Sequence, residues 1–153
     1  MFNLFKKLFE RNHKCPAWAR GKHILVIDDG EVERRFMTEV LTNAGYRVTA
    51  RPEGISGLET ALRENPDLII LDYLMPEMDG NEVCKKIKSN SEIKTIPVIF
   101  LTGSSRPETV ITCYDVGADQ YLNKPISAGA LLQQVQATLE GSQAQEKPVA
   151  KMA

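Results

Sequence analysis

Four short strand-like runs in this chain end at residues equipped to handle a metal ion or an oxyanion. His23-Ile24-Leu25-Val26-Ile27 runs into the acid pair Asp28-Asp29, and Leu68-Ile69-Ile70-Leu71 runs into Asp72. Val98-Ile99-Phe100-Leu101 ends on Thr102, and Gln120-Tyr121-Leu122 leads through Asn123 to Lys124. Three carboxylates in one pocket repel each other, and burying them unpaired is costly. A hard divalent cation resolves that conflict: Mg²⁺ takes oxygen ligands, retains waters and uses one or two carboxylates plus phosphate oxygens. Lys124 adds a compact positive charge with movable donors, and Thr102 a hydroxyl that can donate to the same oxyanion. No histidine or cysteine lies near these ends, so a carboxylate is the nucleophile left by elimination.

Taken singly, each residue has a plainer reading. Asp28-Asp29 could cap a helix, Asp72 could be a turn acid, and Lys124 a solvated surface charge. Thr102 could be only a strand-end hydroxyl, and Tyr121 a half-buried packing ring. The case rests on all of them falling at one edge of one sheet.

The elements that would place them there follow from the apolar pattern. Continuous rather than alternating apolar runs indicate strands covered on both faces, as in a parallel sheet between helical layers. Arg47-Val48-Thr49-Ala50 and Gln120-Tyr121-Leu122 are weaker strands that bring the count to five. Helical patterns lie between them. Val32, Phe36, Val40 and Leu41 share a face before Gly45, and Ile55, Leu58 and Leu62 form a second stripe. Val83 and Ile87 mark a third helix after Gly80. A fourth starts at Ser105-Arg106-Pro107 and is expected to bury Val110, Ile111 and Tyr114. The last runs from the cap Ser127 through Leu131, Leu132, Val135 and Leu139. Five strands alternating with five helices give a doubly wound α/β domain, flavodoxin-like (βα)5. The strand order 2-1-3-4-5 is adopted as the commonest solution for such a sheet. In that order strands one, three and four are neighbours, and their carboxyl ends converge in one crevice.

Composition bounds the rest. The 153 residues suit one domain, with 42% hydrophobic and 25% charged content near globular averages. A formal net charge of -1 and the lack of any long block of like charge speak against direct nucleic-acid binding. Cys15, Cys84 and Cys113 are odd in number and widely spaced, which argues against a disulfide framework or zinc site. Cys84 and Cys113 read as small apolar fillers. No apolar run is long enough to span a bilayer, and charges interrupt the N-terminal apolar stretch, so a cytoplasmic location is expected. Three zones result: residues 1–20 a basic amphipathic leader, 21–140 the domain, and 141–153 a tail too poor in apolar residues to pack, expected to be disordered. In the leader, Phe2, Phe5, Leu8 and Phe9 fall at helical spacing, with Lys6, Lys7 and Arg11 mostly elsewhere. Packing on its own domain, a dimer contact or disorder are favoured there over a membrane-surface helix.

At these residues the chain resembles the receiver domain of two-component signalling. The resemblance rests on Asp28-Asp29, Pro66-Asp67-Leu68-Ile69-Ile70-Leu71-Asp72, Met75-Pro76, Met78-Asp79-Gly80, Thr102, Tyr121 and Lys124-Pro125. It covers about the middle four fifths of the chain. It implies Asp72 as phosphoacceptor and Mg²⁺, with Mn²⁺ as an alternative, held by Asp28, Asp29, Asp72 and the backbone carbonyl of Leu74. Thr102 and Lys124 are implied to bind phosphoryl oxygens, and Tyr121 to be an aromatic that turns inward after Thr102 moves. A cis Lys124–Pro125 bond is implied as well. The implied partners are a sensor histidine kinase or phosphotransfer protein and a downstream protein target, with self-association through the fourth helix, fifth strand and fifth helix. On this reading the chain is a switch rather than an enzyme. Too little chain follows Glu140 for an output domain, so signalling through protein contacts is expected. Gly30 and Gly103 depart from the usual pattern. Leu74 and Ser104 lack the acid or amide found in relatives that lose phosphate fast, so a long-lived phosphorylated state is expected. Two alternatives remain: an Mg²⁺-dependent phosphatase with an aspartyl nucleophile, which Asp72-Tyr73-Leu74 does not match because it lacks a second acid, and a degenerate module that binds partners without phosphate.

Overall fold

A computed structural model describes residues 13–150, with side chains through 145. Five parallel strands form one sheet: β1 (His23–Ile27), β2 (Arg47–Arg51), β3 (Leu68–Asp72), β4 (Val98–Thr102) and β5 (Gln120–Asn123). They lie in the order β2-β1-β3-β4-β5. Five helices alternate with them: α1 (Glu31–Ala44), α2 (Gly54–Glu64), α3 (Gly80–Ser89), α4 (Pro107–Asp115) and α5 (Ala128–Ala150). This is the doubly wound architecture read from the sequence. Among the described residues no helix is long and apolar enough to cross a membrane.

The unbroken apolar runs have a direct cause. Successive side chains of β1, β3 and β4 feed opposite faces, and both faces are covered. Ile24, Val26, Leu68, Ile70, Ile99 and Leu101 join Met37 and Leu41 of α1 and Leu131, Val135 and Leu139 of α5. Leu25, Ile27, Ile69, Leu71, Val98 and Phe100 meet Ala61 of α2, Val83 and Ile87 of α3, and Cys113 of α4. Cys15, Cys84 and Cys113 are all buried free thiols. Burial pushes Cys84 up to about 11, in keeping with an inert filler.

Three helices bury faces other than those expected. In α1 the inner residues are Met37, Leu41 and Ala44, while Val32 is 78% and Phe36 38% exposed. In α2 the small residues Gly54, Gly57, Thr60 and Ala61 face inward, leaving Ile55 and Leu62 exposed. The reason is close approach: a Cβ on Gly57 would stand 2.7 Å from Ile27 Cγ1, so only glycine lets α2 lie this near the sheet. In α4 Cys113 is buried, and Ile111 and Tyr114 are exposed.

Both ends of the domain also differ from the expected boundaries. Ahead of residue 21, the Cys15 amide donates to the Ala44 carbonyl at 2.8 Å, and the short 3-10 turn Ala17–Ala19 buries Ala19 completely. The described part of the leader therefore packs on the domain, while Phe2, Phe5, Leu8 and Phe9 lie outside the described residues. At the other end, α5 continues through Ala150 instead of giving way to a disordered tail at Gly141. Low apolar content does not prevent a helix, because its hydrogen bonds are internal and Ala, Gln, Glu and Lys are good helix formers.

Candidate phosphoacceptor site

The sheet order brings the carboxyl ends of β1, β3 and β4 side by side. Asp72 ends β3 opposite Leu101, and Thr102 ends β4 opposite Asn123 of β5, one residue before Lys124. The Lys124 amide donates to the Thr102 carbonyl at 2.8 Å, and the Lys124–Pro125 bond is cis.

Asp28, Asp29 and Asp72 present carboxylate oxygens within 4.8 Å of one another; Asp28 and Asp72 are buried and Asp29 is exposed. Lys124 Nζ sits 3.1 Å from both Asp28 Oδ2 and Asp72 Oδ1. One ammonium thus pairs with two carboxylates of a cluster of three, and the local charge is not balanced. Burial pushes the Asp72 carboxyl up to about 7, reinforced by the Asp28 charge and a hydrogen bond with Asp29, against the opposing pull of Lys124. For Lys124, burial works against the charge but the two acids outweigh it and raise its pKa. Such a donor set, all hard oxygen with one acid open to solvent, suits Mg²⁺ with part of its hydration shell.

Asp28 is held at every polar position. Its amide donates to the Arg51 carbonyl at 3.1 Å, Oδ1 accepts from the Gly30 amide at 2.8 Å, and Oδ2 accepts from Lys124. Arg34 Nη1 donates to its carbonyl at 2.9 Å. Arg34 carries only a faint sequence signal, a basic residue one helical turn inside the helix that follows the acid pair.

The remaining site residues are placed as follows. Thr102 is buried, and its hydroxyl accepts from the Ser104 amide at 3.0 Å rather than touching Asp72 or Lys124. Tyr121 is half-buried and meets Tyr114 edge-to-face at a centroid distance of 6.1 Å. Leu74 lies in the loop after β3 with its side chain 70% exposed. Gly80 starts α3 against the base of the site: its amide donates to the Tyr73 carbonyl at 3.0 Å. The Asp79 side chain caps the same helix through the Glu82 amide at 3.0 Å.

A parallel doubly wound sheet with acids at the ends of its first and third strands and a lysine past its fifth is the arrangement of a receiver-type domain. Residues 24–136 match the family model of the response regulator receiver domain, and the chain belongs to that family. It is 35% identical over 121 residues to the transcriptional regulatory protein CseB of Streptomyces coelicolor, covering 79% of this chain and 50% of that protein. It is 39% identical over 105 residues to the two-component response regulator ORR11 of rice (Oryza sativa subsp. indica), covering 68% and 71% respectively. Among solved structures, chemotaxis protein CheY4 of Vibrio cholerae matches with a TM-score of 0.75 at 32% identity, over 77% of this chain and 98% of that one. The chain therefore spans about half the length of some relatives and nearly all of others.

Proposed function

We propose that this chain is a phosphoacceptor switch that takes a phosphoryl group from a histidine kinase or phosphotransfer protein onto Asp72. The observation that carries this reading is the Lys124 ammonium, 3.1 Å from Asp28 and from Asp72, inside a cluster of three acids. An Asp72 carboxylate oxygen attacks the phosphorus of a phosphohistidine in line. The P–N bond breaks, the imidazole leaves with the electron pair, and a mixed carboxylic–phosphoric anhydride forms on Asp72. Asp28, Asp29, Asp72 and the Leu74 carbonyl would hold Mg²⁺, which would supply positive charge to offset that on the phosphoryl oxygens. Lys124 binds one phosphoryl oxygen. Thr102 binds another after its hydroxyl leaves the Ser104 amide. The freed space lets Tyr121 turn inward, which reshapes the surface of α4, β5 and α5 that meets the downstream protein or a second copy. A hollow of about 480 Å³ lined by Val32, Phe36, Leu101, Lys124, Pro125 and Ile126 offers the donor protein an apolar seat beside the site. The chain works in the cytoplasm, makes no direct contact with nucleic acid, and catalyses only its own phosphorylation.

Incubation with acetyl phosphate and Mg²⁺, followed by intact mass, tests this. One phosphoryl group should appear on the wild type and none on Asp72→Ala. Repeated turnover of a generic phosphate ester would instead indicate a phosphatase. Partner binding indifferent to Asp72→Ala and to a phosphoryl mimic would indicate a degenerate module.

A further inference from the structure

From Ala128 through Leu139, α5 carries no charged residue, although one side of it faces solvent. Solvated helix faces ordinarily carry Lys, Glu or Arg. Here the outer positions Gly129, Leu132, Gln136 and Ala137, with Cys15 and Tyr46, line a groove of about 390 Å³. Glu140 closes its far end.

The chain enters this groove itself. A Cβ placed on Gly129 would stand 3.8 Å from His13 Nε2, so His13 lies at the Gly129 end. Cys15 is pinned through the Ala44 carbonyl, and Lys14 Nζ donates to the Asn43 carbonyl at 2.7 Å. Whatever precedes His13 therefore starts at one end of an uncharged stripe of helix.

The preceding sequence has the complementary pattern: Phe2, Phe5, Leu8 and Phe9 at helical spacing, and Lys6, Lys7 and Arg11 mostly elsewhere. As a helix, residues 1–12 would be about 18 Å long, and Gly129 to Glu140 spans about 16 Å. A helix running back from His13 antiparallel to α5 would set Phe9 beside Gln133, Phe5 beside Ala137 and Phe2 beside Glu140, within reach of Lys6. We propose that the groove on α5 is the docking site of the chain's own residues 1–12, whose aromatic stripe covers Leu132 and Ala137. A lipid surface or a second copy could use the same stripe. The tether at His13 favours the intramolecular partner, because a short linker supplies an effective concentration of order millimolar.

The test is disulfide trapping in the full chain, whose native cysteines are all buried. Phe5→Cys combined with Ala137→Cys should cross-link within one chain at least tenfold faster than Lys7→Cys combined with Ala137→Cys, which places the thiol on the opposite side of the leader. Hydrogen exchange gives a second readout: amides 132–140 should be at least tenfold better protected in the wild type than in Phe5→Ser/Phe9→Ser. Equal cross-linking rates with unchanged exchange would overturn the proposal. So would a cross-link found only between two chains. Recruitment of the wild type to phosphatidylglycerol vesicles with loss of the cross-link would assign the stripe to lipid instead.

Discussion

Replacing Gly80 by alanine should damage the site without touching any of its side chains. Gly80 begins α3 directly beneath the end of β3. A Cβ there would fall inside contact distance of the Asp72 carbonyl oxygen, 2.8 Å from Phe100 Cε1 and 3.0 Å from Tyr73 Cα. Two of these three atoms belong to the backbone, so no rotamer change relieves the clash, and the end of β3 or the start of α3 must move. Overpacking of this kind costs about 1–3 kcal/mol or more. Alanine returns up to about 1 kcal/mol through helix propensity and a less flexible unfolded chain. The net expectation is a loss of about 1–2 kcal/mol, lowering the urea midpoint by roughly 0.5–1 M. Because the displaced atom is the carbonyl of the phosphoacceptor itself, the initial rate of acetyl-phosphate labelling should also fall by about tenfold. Gly141→Ala is the control. Nothing lies within 4 Å of its added Cβ, it is exposed, and it sits within α5; it should stabilise by about 0.5–1 kcal/mol with labelling unchanged. A Gly80→Ala protein as stable and as readily labelled as the wild type would refute the close packing of α3 against the site.

Further perturbations read other parts of the account. Asp72→Asn removes one of three mutually repelling carboxylates, so in the absence of divalent cation it should be more stable than the wild type by about 1–2 kcal/mol; thermal melts in EDTA would show it, and added Mg²⁺ should raise the wild-type melting temperature more than that of the variant. His23 is buried, and burial together with Arg47 holds its pKa below the usual 6.5 despite Glu64 and Asp67. The unfolded chain then takes up this proton at higher pH than the native protein does. Stability should therefore drop as pH falls from 6.5 through the native pKa, and urea midpoints of His23→Gln should show a shallower decline. The phosphorylated form should decay over minutes to hours, since Leu74 offers no polar group and the Ser104 hydroxyl is 3.2 Å from that of Thr109; a half-life of seconds by intact mass would count against this. Thr102→Ala should still accept phosphate at Asp72, but the Tyr121 ring resonances should then stay at their unphosphorylated positions.

How far the sequence could be read depended on what each element buries. The strands were legible because β1, β3 and β4 are covered on both faces, so Ile24 through Ile27, Leu68 through Leu71 and Val98 through Leu101 must all be apolar. The ends of α1, α3 and α5 are legible through Gly45, Gly80 and Ser127, each at or beside a helix terminus. The inward faces of α2 and α4 were not. Side-chain size is a poor guide where a helix lies so near the sheet that only Gly57 and Ala61 fit against Ile27, which leaves Ile55 and Leu62 outside. The acids and Lys124 meet because strand order fixes where the strand ends converge. The Thr102–Ser104 bond and the brace from Arg34 to Asp28 were hidden, since both depend on loop and rotamer geometry that no spacing rule encodes. The helical course of residues 141–150 leaves no apolar pattern to read, because its hydrogen bonds are internal and need no packed face.

The most direct measurement is to locate the modification itself. After treatment with acetyl phosphate and Mg²⁺, borohydride reduction of the acyl phosphate and peptide mass spectrometry should place a single reduced residue at Asp72, and chelation of the metal before treatment should abolish it. Label on Asp28, on Asp29 or on a hydroxyl side chain, or labelling of Asp72 that persists without any divalent cation, would contradict the account.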